Sequence, residues 1–340
     1  MTETSHGTFL YRLLLYANYI VRAQVPVTNQ QQKKNVRGQL AALADDPESQ
    51  LELALSLLHP KQKQDILMAV LPVLAANPSV EARQPLLDLY AYCAANGAKR
   101  DPGAYLRSAT LNALSQVVTG HDLPLLTEAL ETYEFLPPSF KEDAGLLRAA
   151  ALSALNELDP ELATLHAARL VVDEYTAEMS SEPAITAVRV LAARGAMAPL
   201  FLYVMQPQDN VLAEVCAECL RNLTSLPVEL LPLLIKHYSA RPNPVILLGL
   251  FDLLLNHDAG PQGLPFLRAN LKAPFDEDLY RYLLYAIMLT RLESLRELLR
   301  DVGLKEVEPA RQRILREVLL PYEDDAHIGA VLRYLEGFAL

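Results

Sequence analysis

A few groups of residues have types and spacings that suit chemistry. Cys216 and Cys219 are separated like the cysteines of a zinc knuckle, but a closed structural zinc site needs four ligands. The third cysteine, Cys93, is remote in sequence, so we expect the pair to pack as small core residues. The acidic run 323–325 with His327 has donors for a hard cation, yet carboxylates also offset the dipole at a helix start. We expect no metal and no cofactor.

The short motifs of common enzymes are missing from the sequence. It has no glycine-rich phosphate loop, no His-Glu-x-x-His motif and no Gly-x-Ser-x-Gly turn. Its seven histidines are scattered, and most adjoin predicted turns, as His59, His121 and His257 do. These observations favour a protein that is not an enzyme. Its function must then depend on the surface that its secondary structure presents.

The composition predicts a folded helical protein. Of the 340 residues 51% are hydrophobic and 21% charged, which excludes a disordered chain. Leucine occupies 68 positions and glycine only 13. Leucine loses little rotamer freedom in a helix, so this balance favours helices. No segment shows convincing strand alternation, and we expect an all-α fold.

The negative charge is concentrated in the middle of the chain. Residues 1–110 carry a net charge of +2, residues 111–240 carry −10 and residues 241–340 carry −3, which gives −11 in total. A nucleic-acid binder concentrates Lys and Arg on one face, because phosphate contacts dominate its affinity. Nucleic acid is therefore an unlikely partner. The acidity suits solubility, and it also suits a basic protein or peptide partner.

Three features predict a cytoplasmic protein that spans no membrane. Three cysteines cannot form a disulfide framework in so long a chain, which favours a reducing compartment. The apolar stretch 9–25 is interrupted by Arg12, Asn18 and Arg22 and lacks the preceding positive region of a signal peptide. No uninterrupted apolar run reaches the roughly 18 residues that a membrane span requires.

An internal repeat runs through most of the chain. Six of nine residues are identical between 106–114 and 147–155, at an offset of 41. An apolar pair three residues apart ends each of these segments and recurs at intervals of 30 to 41 residues, which is the range of helical-hairpin repeats. The pairs are Leu111/Leu114, Leu152/Leu155, Val188/Leu191, Leu220/Leu223, Leu250/Leu253, Leu284/Ile287 and Leu315/Val318.

Prolines predict where the helices of each unit begin. A proline followed by two apolar residues marks a first helix that begins or bends there, at Pro72, Pro85, Pro124, Pro199, Pro232 and Pro265. A polar residue before a proline predicts the start of a second helix. These starts are Asp101-Pro102, Glu182-Pro183, Asn243-Pro244 and Glu308-Pro309, and Asp209-Asn210 and Asp276 fit without proline.

These units resemble HEAT repeats, from about Pro72 to Leu335. The resemblance is carried by a Pro-Leu-Leu first helix and a second helix reading Leu-Arg-x-Ala-x-Leu-x-Ala-Leu. HEAT units often pair an Asp in the turn with an Arg in the second helix, and Asp101 with Arg107 and Asp143 with Arg148 match that pattern. The resemblance implies a right-handed α-α superhelix, or α-solenoid, of about eight or nine hairpins.

We expect this solenoid to be a single elongated domain over residues 1–340. Residues 1–35 would form an N-terminal capping helix (9–25) and a loop (26–35), residues 36–320 the repeats, and residues 321–340 a C-terminal capping helix (328–338). The segment 137–141 would be a longer turn that explains the offset of 41.

The resemblance implies that the second helices line a concave surface that receives a partner. We expect a non-enzymatic scaffold or adaptor that binds a protein or peptide there. A HEAT-like DNA glycosylase is an alternative, but such enzymes use a basic surface and tryptophans, and this chain has no Trp. A HEAT-like bilin lyase is another. The candidate partner-binding residues are Arg148, Ser153, Arg189, Glu218, Arg221, Asn222, Asp252 and Tyr282.

Overall fold

A computed structural model describes residues 30–138, 140–239, 243–272 and 276–338. Within them lie nineteen α-helices. These are α1 (Gln30–Ala42), α2 (Pro47–Leu57), α3 (Gln64–Ala76), α4 (Val80–Ala94), α5 (Gly97–Arg100), α6 (Tyr105–Leu114), α7 (Leu123–Leu130), α8 (Gly145–Leu158), α9 (Pro160–Leu170), α10 (Ala184–Ala193), α11 (Met197–Val204), α12 (Ala213–Arg221), α13 (Leu231–Ser239), α14 (Pro244–Leu255), α15 (Leu264–Lys272), α16 (Glu277–Thr290), α17 (Glu293–Gly303), α18 (Pro309–Leu319) and α19 (Ala326–Glu336).

The helices are arranged in two sets by their contacts. Nine of them contact one another in unbroken succession, in the order α1, α3, α6, α8, α10, α12, α14, α16 and α18, and we call these helices row 1. Row 2 comprises α2, α4, α7, α9, α11, α13, α15, α17 and α19. Each row 2 helix packs against a row 1 helix next to it in sequence. The chain therefore folds as a succession of helical hairpins.

The apolar pairs predicted from the repeat form the core of row 1. All fourteen side chains are at most 1% exposed. Every pair lies on a row 1 helix except that Leu223 follows the end of α12 by two residues. Small residues allow the closest helix contacts. A Cβ added to Gly249 of α14 would lie 2.5 Å from the carbonyl oxygen of Ala217 in α12. The recurring apolar pairs are therefore buried core residues.

Several helices begin where the sequence predicts. The Asn243 side chain accepts a hydrogen bond from the Val245 N–H, with Pro244 as the first residue of α14, and Asp276 caps α16 through the Leu279 N–H. Pro309 likewise opens α18. Pro124, Pro232 and Pro265 are the second residues of α7, α13 and α15, Pro199 is the third of α11, and Pro85 lies inside α4. Pro72 lies inside α3, a helix of row 1, so the prediction that it marks a first helix is wrong.

Other predicted starts are wrong by a few residues. Helix α6 begins at Tyr105 rather than Pro102, because the Asp101 carboxylate reaches past a turn to accept from the N–H groups of Leu106 and Arg107. Helix α10 begins directly after Pro183. Asp209 and Asn210 lie in a 3-10 turn, and α12 begins only at Ala213.

The chain departs from the all-helical expectation between α7 and α8. Two short antiparallel strands, β1 (Phe135–Leu136) and β2 (Lys141–Glu142), pair Phe135 with Glu142. The longer turn expected over 137–141 is thus the end of a β-hairpin. The all-α expectation is confirmed for the rest of the described residues. This hairpin was not expected, because four paired residues are too few to show an alternating pattern.

The two ends of the chain give different outcomes. The predicted loop at 26–35 is wrong from Gln30 onward, where α1 begins, and the predicted helix at 9–25 lies outside the described residues. At the other end, α19 covers most of the predicted capping helix, and Asp325 caps it by accepting from the N–H groups of His327 and Ile328. Among the residues that the structure describes, no helix has the length and apolar character to traverse a bilayer.

Candidate functional site

Five of the eight candidate residues form one chain of polar contacts across row 1. Arg189 Nε lies 3.6 Å from Glu218 Oε1, and Arg221 Nη1 lies 3.1 Å from Glu218 Oε2. Arg221 Nε then lies 2.6 Å from Asp252 Oδ2, and the Tyr282 hydroxyl donates to Asp252 Oδ1 over 2.5 Å. We call these five residues the row 1 ladder. It joins four successive helices of row 1, namely α10, α12, α14 and α16.

The repeat explains why these side chains meet. Arg189 and Arg221 each follow the first residue of an apolar pair, while Glu218 and Tyr282 each stand two residues before one. Positions three residues apart share one face of a helix, so both kinds of position point the same way from equivalent helices. On α14 the position equivalent to Arg189 and Arg221 is the one that follows Leu250, and Asp252 is the next residue after it. The same periodicity that buries the pairs therefore aligns the ladder.

The ladder is internally neutral and mostly shielded. The side chains of Glu218, Arg221 and Asp252 are 12%, 19% and 17% exposed, whereas that of Arg189 is 60% exposed. Burial lowers the pKa of Arg221, but the charges of Asp252 and Glu218 outweigh it and raise that pKa overall. Two guanidinium groups thus balance two carboxylates. The exposed Arg189 end is the part of the ladder most open to a partner.

Two further candidates bond to their own helices. The Asn222 amide donates to the Glu218 carbonyl over 2.8 Å, and the Ser153 hydroxyl donates to the Ala149 carbonyl over 3.1 Å. Both side chains are partly buried. They lie on row 1 but do not join the ladder.

Arg148 is not a surface residue, which corrects its prediction as a partner contact. Its side chain is fully buried, with Nη1 2.9 Å from Glu142 and Nε 3.1 Å from Asp173. It also donates to the Thr132 carbonyl over 2.9 Å and lies over the Tyr133 ring. Arg148 of α8 therefore holds both the β-hairpin, through Glu142, and the loop after α9, through Asp173. We call Arg148 with these two carboxylates the Arg148 clamp.

The sequence predicts one of the two Asp–Arg pairs correctly. Asp101 accepts from Arg107 at 3.0 Å, and Arg107 also pairs with Glu134 at 2.7 Å. The second acceptor is Glu142 rather than the expected Asp143. The repeat offset of 41 residues identifies Glu142 as the acceptor, because it aligns Arg107 with Arg148 and Asp101 with Glu142.

The cysteine pair has the surroundings of a core pair. Cys216 and Cys219 are fully buried, and Cys216 Sγ lies 3.0 Å from the Tyr238 hydroxyl. Burial raises the pKa of Cys216 to about 11, which disfavours the thiolate that metal binding and redox chemistry require.

An acidic cluster with His327 sits between α17 and α19. One ligand atom from each of Glu293, Glu297 and His327 lies within 4.8 Å of the others. Arg300 Nη1 lies 3.1 Å from His327 Nδ1, and arginine can only donate. His327 Nδ1 is then the acceptor, and its Nε2–H donates to Glu293 over 2.6 Å. A metal at Nε2 would have to displace that hydrogen bond beside a guanidinium.

Comparisons with known proteins identify no relative of this chain. No family model matches the chain, and neither a curated protein nor a solved structure is significantly similar to it.

Proposed function

We propose that the chain is a HEAT-like repeat protein acting as a non-enzymatic scaffold for a protein or peptide. The two rows would form one right-handed α-solenoid of eight or nine hairpins over residues 1–340. The unbroken succession of contacts in row 1 supports this proposal, since each repeat of a solenoid contacts its neighbours. Its three cysteines are free and buried, which suits the reducing cytoplasm.

The binding face that we propose is the row 1 surface around the ladder. On α16, next to Tyr282, two apolar side chains are exposed at helical spacing: Tyr285 is 41% and Leu289 71% exposed. Leu292, the N-cap residue of α17, is 39% exposed. Tyrosine and arginine are favoured anchors in protein interfaces. The exposed Arg189 and this apolar stripe would lie at the two ends of the ladder.

Surface charge favours a basic partner. Between residues 111 and 240 the exposed charged side chains are ten carboxylates and five cations. The carboxylates are those of Glu128, Glu131, Asp143, Glu157, Glu161, Glu174, Glu178, Asp209, Glu214 and Glu229, and the cations are Lys141, Arg169, Arg189, Arg194 and Lys236. Such a field would steer a positively charged protein or peptide and weaken binding to a polyanion.

The test compares two exposed leucines on opposite rows. Leu289 of row 1 is 71% exposed and Leu202 of row 2 is 67% exposed. A partner would be identified by native co-purification, and its affinity measured by calorimetry for Leu289→Glu and Leu202→Glu. We expect Leu289→Glu to weaken binding about tenfold or more, as loss of a central apolar contact does, with Leu202→Glu unchanged. The reverse result would assign binding to row 2.

No observation favours either alternative function. A glycosylase-type enzyme would need a basic surface, whereas the ladder is neutral and the middle of the chain carries −10. In the part of the chain that the structure describes, no arrangement of side chains points to a chromophore site of the bilin lyase type. Binding of duplex DNA with release of a damaged base would contradict the scaffold proposal.

A further inference from the structure

A cleft that shares no residue with the ladder is lined by three cations. It lies where the start of α3, the end of α4, the short helix α5 and the start of α6 meet, and it has a volume of about 640 Å³. Lys61, Lys99 and Arg100 line it, and no carboxylate does. Ligand pockets of small molecules have volumes of about 300–1,000 Å³, so the cleft has the size of a small-molecule site.

The three cations of the cleft have no ion-pair partner among the described residues. In the described part of the chain, no salt bridge is formed by Lys61, Lys99 or Arg100. Arg100 is nevertheless held in place, because Nη1 donates to the Tyr92 carbonyl over 2.7 Å and the guanidinium lies 4.2 Å from the Tyr92 ring centre. All three side chains are exposed, so each is available to attract a bound anion.

The rest of the lining suits a ligand with both charged and uncharged parts. The amide of Asn96 adds hydrogen-bonding capacity at the rim. Leu67 and Cys93 form a buried apolar floor, and the Cys93 thiol remains neutral because burial raises its pKa to about 11. A phosphate group would meet the cations, while a less polar part would contact the floor.

We propose that this cleft binds a small metabolite carrying two or more phosphate groups, of the class of nucleoside diphosphates. Lysine and arginine are the usual phosphate binders of proteins, and three of them match a ligand with several negative charges. The site is separate from the row 1 surface and does not depend on the scaffold proposal. A bound ligand would stabilise the packing of α3, α4, α5 and α6 around the cleft.

Calorimetry on the full chain tests this site with ADP, pyrophosphate and adenosine as probes. We expect saturable binding of ADP and pyrophosphate that weakens with salt, and none of adenosine. Lys61→Glu and Lys99→Glu should each lower the affinity about tenfold or more, as loss of a charge-assisted contact does. Lys236→Glu makes the same charge change on the exposed face of α13 and should bind as the wild type does.

Several outcomes would overturn the proposal. These are the absence of saturable ADP binding, equal losses in Lys61→Glu and Lys236→Glu, and tighter binding of a short RNA than of ADP. Circular dichroism checks the fold of each variant, and Lys99→Gln is a milder replacement should a reversed charge disturb it. Partner capture through row 1 should not change in these variants, so the two proposals fail independently.

Discussion

Replacing Arg148 by methionine tests the clamp beneath the β-hairpin. Methionine retains most of the length of the side chain but removes the guanidinium that faces Glu142 and Asp173. Those two carboxylates are only 3% and 4% exposed, so they would remain buried without a cation. A buried charge that loses its partner is strongly destabilising, because its desolvation is no longer offset.

The structure also sets the size of the effect. Breaking a buried ion pair from one side typically costs about 3–5 kcal/mol. Glu142 would retain the hydrogen bond from the Ala144 N–H at 2.7 Å, and Asp173 would retain those from the Tyr133 hydroxyl and the Tyr175 N–H. Because each carboxylate keeps donors, we expect a loss near the lower end, about 3 kcal/mol.

Urea unfolding measures this loss against a matched control. Arg268→Met removes an arginine from an exposed pair with Asp301, whose side chains are 43% and 40% exposed, and such pairs contribute about 0–1 kcal/mol. Combining Arg148→Met with Glu142→Gln and Asp173→Asn should restore much of the stability, because the uncompensated charges are gone. Equal losses in the Arg148 and Arg268 variants would refute the reasoning.

Three further predictions concern packing, pH and shape. Gly249→Ala should destabilise by about 1–3 kcal/mol, because its Cβ would meet the Ala217 backbone. Gly38→Ala, with open space around it, should stabilise by about 0.5–1 kcal/mol in the same urea assay. Burial raises the pKa of the Glu182 carboxyl above 4.5, so the folded chain keeps that proton longer. Stability should then fall as the pH rises from 4.5 through the folded-state pKa, and Glu182→Gln should lose that part of the slope. A solenoid should give a radius of gyration by X-ray scattering above the roughly 20 Å of a compact domain of 340 residues, and a value at 20 Å would contradict it.

Helical periodicity made the core predictable from the sequence. An apolar pair such as Leu220/Leu223 recurs once per unit. A single hairpin cannot bury its own apolar side chains, so neighbouring units must cover them. Its burial therefore follows from spacing alone. Starts such as Asn243 were predictable for a similar reason, since a cap bonds to N–H groups only two or three residues away.

Long-range contacts were beyond the sequence pattern. The Arg148 clamp needs Asp173 from a loop 25 residues later, and no local rule specifies that distance. The nearer acceptor, Glu142, was predictable from the repeat offset of 41 residues, which aligns it with Asp101. The adjacent Asp143 was expected instead, because the HEAT pattern has an Asp in this turn. The β-hairpin escaped detection because its strands have two residues each.

The same polar residues serve stability and limit where a partner can bind. In a stack of hairpins each helix meets mainly its neighbours, so a pair such as Arg221–Asp252 adds to the interface between two repeats. Charges used in this way are shielded from a ligand. Within 111–240 such pairs withdraw two cations, Arg148 and Arg221, together with the carboxylates of Glu142, Asp173 and Glu218. The exposed side chains of the same range still comprise ten carboxylates and five cations. Under the scaffold proposal, a partner would contact the exposed carboxylates and the exposed ends of the ladder, and variants in the middle of the ladder should lower stability before they lower affinity.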